Sequence, residues 1–114
     1  MITIADIITS LPAHLVSAGS HAKDIQITNI IAGDLMSDIL VSVDTGCLLV
    51  TGLASEQAVR TADIVCAEAV LLVNDKLPSA GMKKLAEESG MTLLATPLPM
   101  FDACVALGNI LSYS

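Results

Sequence analysis

Residues 47–73, CLLVTGLASEQAVRTADIVCAEAVLLV, decide the fold. They read as an apolar run, CLLVT, a turn at Thr51-Gly52, a polar-starting helix, SEQAVRTADIVCAE, and a second apolar run, AVLLV. Near-continuous apolar runs are the mark of parallel strands buried on both faces. A helix joining two of them through connections of a few residues implies a right-handed βαβ crossover. Working outward, SAGMKKLAEES is a helix capped by Ser79 and closed by Gly90, and TLLAT is a strand. PMFDACVALGNILSYS follows as a final helix with Pro99 near its first turn. Toward the N-terminus, Gly33-Asp34 opens the helix DLMSDILVSV with Asp34 as N-cap, and this helix closes at DTG, where Gly46 supplies a left-handed residue.

Before it, IQITNII is a strand by its β-branched content, GSHAKD a polar loop and HLVS a short strand. The segment TIADIITSL is a helix with Thr3 as N-cap, Ile4, Ile7, Ile8 and Leu11 on one face, and Pro12 at its end. The reading is a single α/β domain over residues 1–114, a three-layer domain with a mainly parallel sheet of four to five strands and helices on both faces.

Composition agrees and excludes several functions. Hydrophobic residues make up 54% of the 114, yet there is no Trp, one Phe and one Tyr, so the core is aliphatic. Five Lys and Arg stand against twelve Asp and Glu, a net charge of -7. That balance argues against nucleic acid and anionic membranes, both of which need clustered positive charge. No run approaches the ~18 apolar residues of a membrane span. MITIADIITSL has no basic start and carries Asp6 inside its apolar stretch, unlike a secretory signal. Three cysteines, Cys47, Cys66 and Cys104, lack any C-x-x-C spacing, which points to reduced thiols and a cytoplasmic setting.

In a parallel α/β domain the loops after the strands gather at one sheet edge, where ligands usually bind. Here that edge collects Asp34 and Ser37, Thr51, Gly52 and Ser55, then Asn74, then Thr96, with Arg60 on the helix above the Thr51 turn. These are the candidate ligand-binding residues, and a small anion is the expected ligand because helix N-termini offer free N–H groups and partial positive charge. Plainer readings stand beside each. Ser55 and Asp34 are ordinary caps, Glu56 and Arg60 a surface pair, and Asp38 a complement to the helix dipole. Cys104, one turn into the last helix, is either a packed apolar thiol or one with a lowered pKa.

His14 and His21 have no neighbours at metal-ligand spacing, so neither a metal nor a catalytic residue is expected. No G-x-x-x-x-G-K-[ST], G-x-G-x-x-G or G-x-S-x-G occurs, and no nucleophile with its base is visible. The last helix carries Met100, Phe101, Cys104, Val105, Leu107, Ile110 and Leu111 on more than one stripe, which predicts a homodimer contact involving that helix.

AGDLMSDIL, LLVTGLASEQAVRTADI and LLATPLPMFDACVAL, in that order, resemble the DRTGG-domain family. This small α/β module also occurs within some phosphotransacetylases and beside CBS-domain pairs, and it is related in fold to the N-terminal domain of HPr kinase/phosphorylase. The resemblance runs from the opening helix to Leu107 and implies a stand-alone member. It implies a non-catalytic regulatory or ligand-sensing module acting on a metabolic or redox enzyme partner, since stand-alone members accompany hydrogenase and other redox-enzyme genes in anaerobic bacteria. The literal Asp-Arg-Thr-Gly-Gly string is absent, and Val59-Arg60-Thr61-Ala62-Asp63 is the nearest piece. Two alternatives remain: a structural interaction module without a ligand, and a small phosphoryl- or acyl-transfer enzyme built on Asp34, Asp38 and Thr51. No cofactor is specified.

Overall fold

A computed structural model describes residues 1–42 and 45–112. Four parallel strands form its centre: β4 (Asn29–Ala32), β5 (Cys47–Thr51), β6 (Ala69–Leu72) and β7 (Thr92–Ala95). Ahead of them in the chain come β1 (Ile2–Thr3), α1 (Ile4–Ser10), β2 (His14–Ser17), a short 3-10 turn (Ala22–Asp24) and β3 (Gln26–Ile27). The connecting helices are α2 (Met36–Leu40), α3 (Glu56–Ile64) and α4 (Ala80–Ser89), and α5 (Met100–Ser112) follows β7. The main sheet has the order β2-β7-β6-β5-β4.

Alternation along the strands divides the core in two. Cys47, Leu49, Val70, Leu72 and Leu93 pack under α2, α3 and α4. Leu48, Val50, Ala69, Leu71 and Leu94 pack under α1, α5 and the β1–β3 ribbon. The three-layer α/β architecture, with a mostly parallel five-stranded sheet, is therefore the one the apolar runs predict.

Several local expectations hold in detail. Thr3 and Asp6 form a reciprocal capping box on α1. The Ser79 hydroxyl accepts from Met82 N at 3.0 Å, and Gly90 closes α4 in the left-handed region at φ 72°. Lys83, Lys84, Glu87 and Glu88 face solvent while Met82 and Ala86 are buried.

HLVS is the strand expected, with a direction its sequence leaves open: it pairs antiparallel with β7 at one edge of the mainly parallel sheet. Other expectations are corrected. IQITNII is two strands: the N–H groups of Thr28 and Asn29 both donate to the Gly46 carbonyl, and the chain passes there from the ribbon into the main sheet. Gly46 is left-handed, at φ 70°, but it sits at the entry to β5, where a Cβ would strike the Thr28 hydroxyl. Helix α2 ends at Leu40, well before it; Val43 and Asp44, assigned to the helix and its close, lie outside the described residues, as do Tyr113 and Ser114 of the final helix. Helix α3 stops at Ile64 because the chain reverses through Cys66, at φ 59°, to bring Glu68 N onto the Cys47 carbonyl.

Ser55 occupies the N-cap position of α3, yet its side chain makes no capping bond. Ser79→Ala is therefore expected to lower stability by about 1 kcal/mol, a few degrees in thermal midpoint, whereas Ser55→Ala changes it by less. Paired thermal melts of the two variants check this.

Candidate functional site

The parallel ladder carries on past the formal strand ends. Gly33 N donates to the Val50 carbonyl (3.0 Å), Val73 N to Thr51 (2.9 Å) and Thr96 N to Leu72 (2.9 Å). Each β-to-α loop therefore starts from the same edge, and Asp34, Gly52, Asn74 and Thr96 share it.

Asp34 does not cap α2, whose N-cap position is Leu35 with no side-chain bond. Its Oδ1 instead accepts from Gly52 N at 2.7 Å and from the Thr51 hydroxyl at 3.1 Å. A carboxylate on a backbone N–H makes a short, charge-assisted bond, and here it outcompetes the local cap. Thr51 is fully buried, and its Oγ1 also accepts from Leu53 N (3.1 Å). The Thr51 hydroxyl is thus committed on both sides to shaping the turn. Gly52 is needed for space: a Cβ there would lie 2.8 Å from Asn74 Nδ2 and 3.4 Å from Asp34 Oδ1.

Asn74 and Asp75 are both left-handed, at φ 64° and 56°. Asn and Asp are the non-glycine types that tolerate this region best. The turn lets Asn74 N donate to the Leu98 carbonyl (2.8 Å) and Asp75 N to the Thr96 carbonyl (3.2 Å). Asn74 Oδ1 then accepts from Met100 N (3.1 Å), capping α5 from 26 residues away. Thr96, 1% exposed, donates its hydroxyl to the Leu11 carbonyl (2.7 Å) and accepts from Leu98 N (3.3 Å), tying the end of α1 to the start of the β7–α5 loop.

The remaining sequence candidates lie around this cluster. Ser37 is exposed on α2 and Ser55 is half-buried. Arg60 pairs with Glu56 at 3.0 Å across an exposed turn of α3. Asp34, Asn74, Asp75 and Lys76 are all exposed at this edge. Its best anion donor, Gly52 N–H, already holds an internal carboxylate. The sequence places Asp34 and Asn74 at the edge but does not reveal their bonds, which join residues 17 to 26 positions apart.

Among the described residues, no group of three His, Cys, Asp or Glu could hold a metal ion. A mostly apolar groove of about 360 Å³ lies elsewhere, lined by Thr3, Ile4, Ile8, Leu15 and Lys23 among others. Cys104 lies 3.8 Å from the Met100 sulfur, and burial pushes its thiol pKa up, opposite to an activated nucleophile.

The fold and its edge define a small α/β domain with an internally bonded strand-end cluster. No protein-family model matches the chain, and no curated protein does. Among solved structures it is similar to the CBS and DRTGG domains of the regulatory region of a Clostridium perfringens pyrophosphatase, a structure complexed with the activator diadenosine tetraphosphate. The TM-score is 0.69 at 14% identity, over 92% of this chain and 45% of the other. The present chain thus spans just under half the length of that one, and the likeness is one of fold.

Two outcomes follow from this geometry. Asn74→Ala removes the α5 cap and strains a left-handed position, and is expected to cost about 2 kcal/mol, while Asn74→Gly loses the cap alone and costs about half as much. Chemical denaturation of the pair separates the two contributions. Thiol alkylation in the native state is expected to reach exposed Cys66 first and buried Cys47 last, with Cys104 between them. Raised in the fold, the Cys104 pKa makes the unfolded chain ionise first as pH climbs through the ordinary thiol range, so this burial subtracts stability at alkaline pH. Mass-resolved alkylation against pH reads the onset for Cys104.

Proposed function

We propose that the chain is a non-catalytic regulatory module of the DRTGG type that senses a small anionic ligand at the strand-end edge and acts on a metabolic or redox enzyme partner. The observation that carries this reading is the bond between Asp34 and Gly52 N–H. A backbone donor at the end of a parallel strand, opened by a glycine, is where an anion is recognised in α/β domains. Here the chain's own carboxylate sits in that place. A phosphate-bearing ligand would bind by exchanging with Asp34, and the exchange would release the loop leading into α2, with its exposed Leu35, toward a partner.

Support for a regulatory role comes from the fold shared with a pyrophosphatase regulatory region, whose activator is a nucleotide polyphosphate. Support for a non-catalytic role comes from Thr51, whose hydroxyl is buried and engaged at both lone pair and proton. A module that only docks, with no ligand, is the reading the self-satisfied network favours if nothing displaces Asp34.

A thermal-shift panel of inorganic phosphate, ATP, diadenosine tetraphosphate, acetyl phosphate and NAD, run on the wild type and Asp34→Asn, tests the reading. Asp34→Asn keeps an oxygen acceptor but loses its charge, which lowers stability by about 1–2 kcal/mol through the weakened bond and weakens the internal competitor. The same amount, returned to an incoming anion, is expected to tighten binding about tenfold. No stabilisation of either protein by any member of the panel would retire the ligand-sensing half and leave the docking module.

A further inference from the structure

A groove opens where α1 and β2 part. Only Leu11, Pro12 and Ala13 join the two elements, so they diverge from a tight corner. Strand β2 is also the last of the main sheet, beyond β7, while α1 packs beside α5. Leu15 stands opposite Leu94, on the face that α1 and α5 cover, yet it is 42% exposed. Across from it, Ala5 is exposed and Ile8 half-buried. Between them lies the hollow of about 360 Å³, walled by Ile4, Ala5, Ile8 and Leu15 and completed by Ala22 and Lys23 of the 3-10 turn.

The wall changes character at Lys23. Its side chain is exposed, and among the described residues its ammonium meets no carboxylate at ion-pair distance. The acids nearest in sequence are turned to other work. Asp6 accepts from Thr3 N at 2.9 Å in the capping box. Asp24 lines a neighbouring, more polar hollow with Gly19 and Ser20, which shares Ala22 and Lys23 with the groove. Lysine adds its aliphatic stem to an apolar wall while its charged head stays in water. A trough of this kind, with one cation at its rim, complements an aliphatic tail that ends in one negative charge.

Size and charge narrow the class further. The volume is toward the small end of the roughly 300–1,000 Å³ of ligand sites, which suits a single short tail and not a dinucleotide. One ammonium matches a carboxylate monoanion. A polyphosphate would bring several charges to a chain of net charge -7, with no second cation in the wall to meet them. We propose that the α1–β2 groove binds a medium-chain aliphatic carboxylate, its tail along Ile4, Ile8 and Leu15 and its carboxylate against Lys23. The site shares no residue with the strand-end edge and is independent of the reading given to that edge.

Titration calorimetry of the full chain with butanoate, hexanoate, octanoate and decanoate, and with uncharged octanol, tests it. One-to-one binding is expected, tightening about threefold to fourfold for each methylene added until the groove is full. Lys23→Met keeps the stem and drops the charge, so it should weaken octanoate about threefold and leave octanol unchanged, while Lys23→Arg retains both. Ala5→Phe fills the groove from an exposed helix position and should weaken octanoate and octanol alike, by at least about tenfold, with unchanged circular dichroism. Leu15→Gln, on the strand wall, is the independent check and should weaken both as well. Failure of octanoate to saturate the wild type overturns the proposal, as does an affinity indifferent to chain length. Equal losses of octanoate and octanol on Lys23→Met overturn the part given to Lys23. Undiminished binding by folded Ala5→Phe or by Leu15→Gln overturns the location.

Discussion

The hand of the strand–helix–strand crossover governs this molecule. Strands β4, β5, β6 and β7 step across the sheet in one direction, and right-handed connections then lay α2, α3 and α4 on one face. The other face of an aliphatic sheet cannot be left in water, and only the two ends of the chain remain to cover it. Helix α1 with the β1–β3 ribbon comes from one end and α5 from the other. Consequently the loop after β6 leaves toward one face and the loop after β7 toward the opposite face. The two part at the edge where Asn74 stands.

A parting of loops normally opens a crevice, and in this protein the crevice is bonded internally. Asn74 reaches across it to Leu98 and Met100, Asp75 to Thr96, and Asp34 reaches from the next loop to Gly52. Two consecutive left-handed residues are the conformational cost of that closure, borne by the side chains best able to bear it. The edge is thus a set of mutually satisfied polar groups whose bonds can be exchanged, rather than an empty cradle. This distinguishes it from the glycine-rich phosphate loops whose donors stand unoccupied until the ligand arrives.

Much of the fold was legible because burial on both faces leaves uninterrupted aliphatic runs, and because Thr3, Ser79 and Gly90 are local signals with local partners. IQITNII reads as one strand because nothing in its composition reveals that Thr28 and Asn29 share the Gly46 carbonyl. HLVS gave no hint of direction, because its partner lies at the far end of the chain. At the candidate site the positions were readable from topology but the chemistry was not. Asp34 before a helix looks like a cap, and only the tertiary arrangement brings Gly52 N–H to it at 2.7 Å. Thr51 and Thr96 look like hydroxyls offered to a ligand, yet both are buried and fully bonded.

The antiparallel strand β2 has a consequence for biosynthesis. It is translated before every parallel strand, yet its one neighbour in the sheet is the last of them, with His14 opposite Ala95. On the ribosome the parallel strands can assemble in the order they emerge, each beside its predecessor, while the amino-terminal segment waits with Leu15 and Val16 unpaired. Closure of such a distant contact is entropically slow and leaves apolar side chains and unpaired backbone groups exposed in the interval. The early segment is therefore the stretch of the nascent polypeptide that a chaperone has most reason to hold.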